Sequence, residues 1–292
     1  MSVATVSDLL RSKLGELTPA GREIAREILT DYPRAGLETA ARLAARAGVS
    51  APTVTRFAIF LGFEGYLEFQ DQLRSELGER SKSALEQFPL DTPEPSSGAV
   101  QLAADAAVLA GQVSASLDAV PGALIEDAVQ MLSTPGRSVH LLGGRFSHMV
   151  AQYLQTHLQL LRPGAFLVSS NELDRASTLR DMKRGDIVVA YDFRRYTPET
   201  VEFGKAARKR GAKIILVTDP WLSPLSTDAS IVLPCSVASP SAFDALSPTM
   251  ALTEVLISGL VRHSGAAGRA SLSAVEAILS SNADHDVDIR YI

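Results

Sequence analysis

The sequence predicts two domains of different class. The first is an all-α N-terminal helix-turn-helix domain. The second is an α/β C-terminal domain with a parallel five-stranded sheet flanked by helices. Three observations carry this. Up to about residue 78 the apolar positions recur at helical spacing only. A Pro/Ser-rich stretch with Ser81, Ser83, Pro89, Pro93, Pro95, Ser96, Ser97 and Gly98 then breaks the pattern. From Arg137 onward short apolar runs alternate with amphipathic stretches, the rhythm of βαβ crossovers. The expected boundaries are therefore 1–78, a linker over 79–98 (a surface loop within one domain being the alternative), and 99–292.

The length of 292 residues suits about two domains. With 46% hydrophobic and 21% charged residues the composition is that of an ordinary soluble protein, and 6% aromatics favours helices over an all-β sandwich. A net charge of -5 counts against non-specific nucleic-acid binding but leaves room for a small DNA-reading module with one basic face. The single cysteine, Cys235, excludes a disulfide within the chain and counts against a cysteine-based metal site. Five histidines show no His-x-x-x-His spacing. No metal, cofactor or catalytic set is expected. No signal peptide and no apolar run of about 18 residues is read, which points to the cytoplasm and away from a membrane.

In chain order, Val6, Leu9, Leu10 and Leu14 share one helical face. Thr18 followed by Pro19 is an N-cap with a first-turn proline, and Ile24, Ile28 and Leu29 supply the apolar stripe that follows. Beyond the break, helices are expected over 100–117 and 124–132. Strands are expected over 139–142, 165–168, 186–191, 213–218 and 230–233, with helices over 147–161, 197–210 and 248–263. Ligands of such sheets bind at the carboxyl ends of strands, here after Leu142, Tyr191 and Thr218.

Residues 37–69 carry the most specific local pattern. Thr39 N-caps a helix through Arg46, Gly48 stops it, and Val49 fills the turn. Ser50 caps a second helix with Pro52 in its first turn and Val54, Phe57 and Leu61 inward. Ala51, Thr53, Thr55 and Arg56 are left outward, where hydroxyls and a guanidinium can contact phosphates or base edges. Thr39, Ser50, Ala51, Thr53, Thr55 and Arg56 are thus the candidate DNA-binding residues. Spacing alone fits equally a pair of solvent-facing helices in a plain bundle.

The run Ala44-Ala45-Arg46-Ala47-Gly48-Val49-Ser50, then Thr53-Val54-Thr55-Arg56-Phe57, then Leu61-Gly62-Phe63-Glu64-Gly65-Tyr66 and Phe69, resembles the N-terminal domain of RpiR/MurR-type regulators. The resemblance implies a helix-turn-helix followed by a sugar-isomerase-like (SIS) domain, here over roughly 123–264. Leu141 to Ser147 looks like that fold's first phosphosugar contact. Gly143 and Gly144 let the backbone approach a ligand, and Ser147 opens a helix whose N–H groups favour an anion. A βα turn with a serine cap explains the same residues. After the third strand the usual Ser-Gly-x-Thr/Ser loop is replaced by Asp192-Phe193-Arg194-Arg195-Tyr196-Thr197. Two arginines before a helix N-terminus call for a negative partner, either a ligand or an acid such as Asp192. A surface pair packing on Phe193 or Tyr196, or a subunit contact, is the alternative.

The candidate ligand-binding residues are Gly143, Gly144, Arg145, Ser147, Asp192, Arg194, Arg195, Tyr196 and Thr197. The expected function is a transcription regulator, homodimeric or a dimer of dimers, that binds a double-stranded DNA operator and senses a small anionic effector. A phosphosugar is what the resemblance implies. The competing reading is a sugar-phosphate isomerase or lyase, whose general base would be His148, His157 or Glu172.

Overall fold

A computed structural model describes residues 5–89 and 98–288, with side chains as far as Ser281. The N-terminal part is helical throughout: α1 (Val6–Lys13), α2 (Pro19–Thr30), α3 (Arg34–Leu37), α4 (Ala40–Ala47), α5 (Ala51–Leu61), α6 (Tyr66–Ser81) and α7 (Ala84–Gln87). The Thr18 hydroxyl accepts the Gly21 N–H at 3.1 Å, and Pro19 opens α2, as the cap signature requires. Leu10, Ile24, Ile28, Leu43, Val54, Phe57, Leu61, Phe69 and Leu73 meet in one buried core. At the turn, Gly48 has φ 66°, a left-handed conformation, and the Val49 N–H returns to the Ala44 carbonyl at 2.9 Å. Val49 packs on the core and fixes the angle between α4 and α5.

The remainder comprises α8 (Gly98–Asp118), α9 (Gly122–Leu132), β1 (Val139–Gly143), α10 (Ser147–Leu161), β2 (Ala165–Leu167), α11 (Glu172–Asp181), β3 (Ile187–Asp192), α12 (Pro198–Lys209), β4 (Lys213–Thr218), β5 (Ile231–Pro234) and α13 (Ser247–Asp288). The sheet order is β2-β1-β3-β4-β5, and every pairing is parallel. Alternate strand residues feed two cores. Leu141, Val189, Tyr191, Ile215 and Val217 pack with residues of α9, α10 and α13. Leu142, Val188, Ala190, Ile214 and Leu216 pack with Phe203 and Ala207 of α12. Both faces are covered, so β3 is buried along its whole length. The chain steps from β1 outward to β2 and then back across to β3. The strand order therefore reverses between β1 and β3, where Gly143 pairs with Tyr191.

Three expectations need correction, and one helix proves to have a continuation. No helix is expected between the second and third strands, but Glu172 opens one, α11, whose cap is the Asn171 side chain accepting the Leu173 and Asp174 N–H groups. The helix expected over 248–263 does end there, at the non-helical Gly265, and α13 continues beyond that kink as a second helical stretch to Asp288 that the sequence reading lacks. The anticipated linker over 79–98 begins inside α6 and includes α7; its residues 90–97 lie outside the described residues. Finally, α8 is 21 residues long with a window of mean hydropathy 1.2, long and apolar enough to cross a bilayer by length and composition. Its C-terminal end is anchored in the α/β unit, where buried Ser116 accepts the Ser236 N–H at 2.9 Å.

Candidate functional site

The first candidate surface is the exposed face of α4 and α5. Residues 39–63 contain Arg42, Arg46 and Arg56 and no acid. Arg46 is committed to Glu27 at 3.1 Å, Asp31 at 3.3 Å and Glu38 at 3.6 Å, which clamps α4 to α2. Arg42 and Arg56 stay exposed. The Thr39 hydroxyl caps α4 through the Arg42 N–H at 3.3 Å. Ser50 occupies the cap position of α5 but makes no side-chain bond to that helix's backbone. Its hydroxyl instead pairs with that of Thr53 at 2.8 Å, and Arg56 Nη2 donates to Thr53 Oγ1 at 3.3 Å. Ser50, Thr53 and Arg56 thus form one polar string along the first turns of α5. Ala51 and Thr55 are partly exposed beside it. Arg42, on the neighbouring helix, is a cation that the sequence reading passed over.

The second is a cavity of about 740 Å³ at the carboxyl ends of β1 and β3. Two loops meet there. A Cβ on Gly143 would lie 2.6 Å from the His148 backbone nitrogen, and one on Gly144 would lie 2.7 Å from Thr197 Oγ1. Glycine is needed at both because the β1 loop turns back on α10 and touches the β3 loop. Gly144, Arg145, Ser147, Asp192, Arg194, Arg195 and Thr197 line the cavity, joined by Phe146, Phe193, Phe243, Asp244 and Leu246. Gly143 and Tyr196 do not line it.

Several roles differ from expectation. Ser147 is not the N-cap of α10; Phe146 holds that position. The buried Ser147 hydroxyl accepts the Gly144 N–H at 2.9 Å and donates to the Tyr191 carbonyl at 2.8 Å, so it ties β1 to β3. Asp192 is not the partner of the arginines. Its carboxylate accepts the Thr197 N–H at 3.0 Å and the Ser223 hydroxyl at 2.5 Å. The acid facing Arg194 is Asp244, which accepts from Arg194 Nε at 2.6 Å and also from Nη2. Arg194 is buried, whereas Arg195 is exposed with φ 65°. Tyr196 turns away and donates to Asp219 at 2.8 Å. Asp244 carries no warning in the sequence, because it reaches the site from a loop far along the chain, whereas Asp219 stands where the sequence directs a search, just after the fourth strand, and there it holds Tyr196 rather than lining the cavity.

The acids beneath the cavity are unusual. Burial pushes the Asp192 carboxyl up to about 6, opposed by its hydrogen bonds to Ser223 and Thr197 and by the Arg80 charge. Burial pushes Asp219 up to about 7, opposed by the Tyr196 hydrogen bond and by Arg80. Burial, with the Asp219 charge behind it, raises the Tyr196 phenol. Arg80 belongs to α6, and its guanidinium lies 4.3 Å from the Tyr196 ring centre. No cluster of three or more His, Cys, Asp or Glu suited to a metal occurs among the described residues. His140 and Cys235 are buried core residues.

A helix-turn-helix with a polar, arginine-bearing second helix, joined to a parallel α/β domain with a strand-end cavity, defines the class of two-domain DNA-binding sensors. Family comparison agrees part by part. The rpiR-family helix-turn-helix domain matches residues 4–80, and the SIS domain matches residues 132–259. The chain belongs to the RpiR-type transcription regulators. It is 29% identical to the HTH-type transcriptional regulator HexR of Pseudomonas aeruginosa over 77% of this chain and 76% of that one. It is 28% identical to the Bifunctional protein glk of Burkholderia mallei over 79% of this chain. There it spans about a third of the relative's length, 35%. The Vibrio vulnificus NanR protein complexed with ManNAc-6P shares the fold, with a TM-score of 0.53 at 18% identity, covering 94% of this chain and 98% of that one.

Proposed function

We propose that the protein is a DNA-binding transcription regulator whose SIS domain binds a small anionic metabolite, a phosphosugar, in the cavity between the β1 and β3 loops. The carrying observation is the meeting of the two loops. They bring Arg145, Arg195, the Gly144 backbone and the start of α10 around one space large enough for a phosphorylated monosaccharide. Arg145 and Arg195 are exposed and carry the charge for an anion. The comparison with NanR in complex with ManNAc-6P supports the ligand class. Helix α5 is the DNA-reading helix, with Ser50, Thr53 and Arg56 toward the groove and Thr39, Ala51 and Thr55 at its margin. The division into 1–78 and 99–292 is supported by separate cores, one drawn from residues 6–73 and the others from residues 120–260.

Binding without turnover is the reading for the cavity. Its lining acids, Asp192 and Asp244, are engaged by neighbours, and His148, His157 and Glu172 do not line it. We assign a cytoplasmic homodimer on a two-fold operator. The exposed Leu102 and Val108 of α8 fit a helix-to-helix contact between copies. The test is selection of bound sequences from random duplex DNA, alongside a thermal-shift screen of sugar phosphates. Enrichment of a palindrome and a saturable rise in Tm with a phosphosugar are expected. No enriched sequence would overturn the regulator, and release of altered sugar phosphate would favour the isomerase.

A further inference from the structure

Arg194 lines the cavity yet spends half of its engaged donors outside it. Its Nε and Nη2 bind Asp244 on the loop before α13. Its Nη2 also donates to Gln87 Oε1 at 2.7 Å, and its Nη1 donates to the Glu79 carbonyl at 3.3 Å. Gln87 is the last residue of α7 and Glu79 lies near the end of α6, the helix that runs out of the DNA-binding domain's core. The Arg194 guanidinium is also 5.7 Å from the Trp221 ring centre. A guanidinium has five N–H donors. Four are spent here, so a ligand anion gripped in bidentate fashion has to displace an existing acceptor.

We propose that Arg194 is the residue that reports cavity occupancy to the DNA-binding domain. A phosphate in the cavity competes for its guanidinium and draws it off Gln87 and the Glu79 carbonyl. The acceptors lost are the two neutral ones. An anion outbids them because hydrogen bonds between two ionised groups are shorter and stronger than those to a neutral oxygen. The α6–α7 segment then loses its polar attachment to the β3 loop. It keeps the stacking of Arg80 on Tyr196 and the attraction of the Arg80 charge to Asp192 and Asp219 nearby. The same competition runs in reverse, since binding free energies are reciprocal: a held α6–α7 segment weakens the anion site. The coupling is internal to one chain and needs no change in the sheet.

This rests on the cavity being the anion site proposed above, and the experiment separates the two. Hydrogen exchange over residues 79–88 of the full chain is followed with and without inorganic phosphate, at matched ionic strength. Phosphate binding is measured in parallel by calorimetry. In the wild type, saturating phosphate should speed exchange of this segment several-fold. Gln87→Met removes the amide acceptor from a partly exposed site at similar length. It should exchange fast without phosphate and bind phosphate several-fold more tightly. Arg194→Lys, which keeps the charge but loses the fork, should make exchange fast and indifferent to phosphate. Phosphate bound with unchanged exchange in the wild type, or Gln87→Met binding phosphate no more tightly, overturns the role of Arg194 alone. No phosphate binding in any of the three proteins overturns the anion site and this inference with it.

Discussion

Arg56 and Asp219 illustrate what single residues contribute. Arg56 is exposed, steadied by Thr53, and placed on the outer side of α5. Its replacement by alanine should leave folding intact. Operator binding should fall by about 1–3 kcal/mol if it reads a base, or the salt slope by about one if it meets a phosphate, as measured by a salt titration of binding. Asp219 and Asp192 act on stability instead. Their folded pKa values, about 7 and about 6, lie above the ordinary carboxylate value. Through that interval the folded chain holds protons that the unfolded chain has released. The stabilising contribution of each is therefore complete below the unfolded pKa and is lost as pH rises through the folded one. The Tm should decline between about pH 4 and about pH 7. Asp219→Asn should flatten that decline while keeping an acceptor for Tyr196 and the Trp221 N–H. A slope unchanged in the variant would show that Asp219 ionises freely.

Among the elements, those with a strong pattern were legible and those without one were not. The strands come out within about one residue of expectation, because each is a short apolar run, covered on both faces in all but the edge strand β2. The turn of the helix-turn-helix was equally plain, because glycine adopts the left-handed conformation at residue 48 without the steric cost other residues incur. Helix α11 was missed because its sequence, ELDRASTLRD, buries no residue and so has no apolar stripe to read. The second helical stretch of α13 is not legible because Gly265 reads as a stop, and it is one: the helix breaks there and a new stretch begins beyond it. The β1 loop permits a test at this scale. Gly143→Ala places a methyl against the α10 backbone, which cannot yield as a side chain can. It should cost about 1–3 kcal/mol in urea unfolding. Gly122→Ala at the start of α9, where a Cβ meets nothing within 4 Å, should be neutral or stabilising.

For the whole molecule, the issue is how the two parts communicate and how many copies act. The parts touch through Arg194, through Arg80 on Tyr196, and through the Thr5 hydroxyl to the Pro220 carbonyl at 3.5 Å. Among the described residues these are few polar contacts, suited to an interface that opens and closes rather than a permanent one. Light scattering of the full chain should give a dimer. Leu102→Glu with Val108→Glu, on the exposed side of α8, should shift it toward monomer and weaken operator binding. Loss of operator binding with the dimer intact would move the subunit contact elsewhere.

The sequence by itself determined the two fold classes, the position of the helix-turn-helix and the strand ends where a ligand site had to be sought. Those follow from apolar periodicity and glycine chemistry, both local properties that a linear chain displays. Only the tertiary structure decided which polar groups are spent. It gave the arginine pair two different tasks, one buried against Asp244 and Gln87 and the other exposed. It also turned Ser147 and Asp192 into ties between loops. The reason is that a donor or acceptor is satisfied by what lies next to it in space, and here the partners lie 50 residues away for Asp244 and 107 for Gln87.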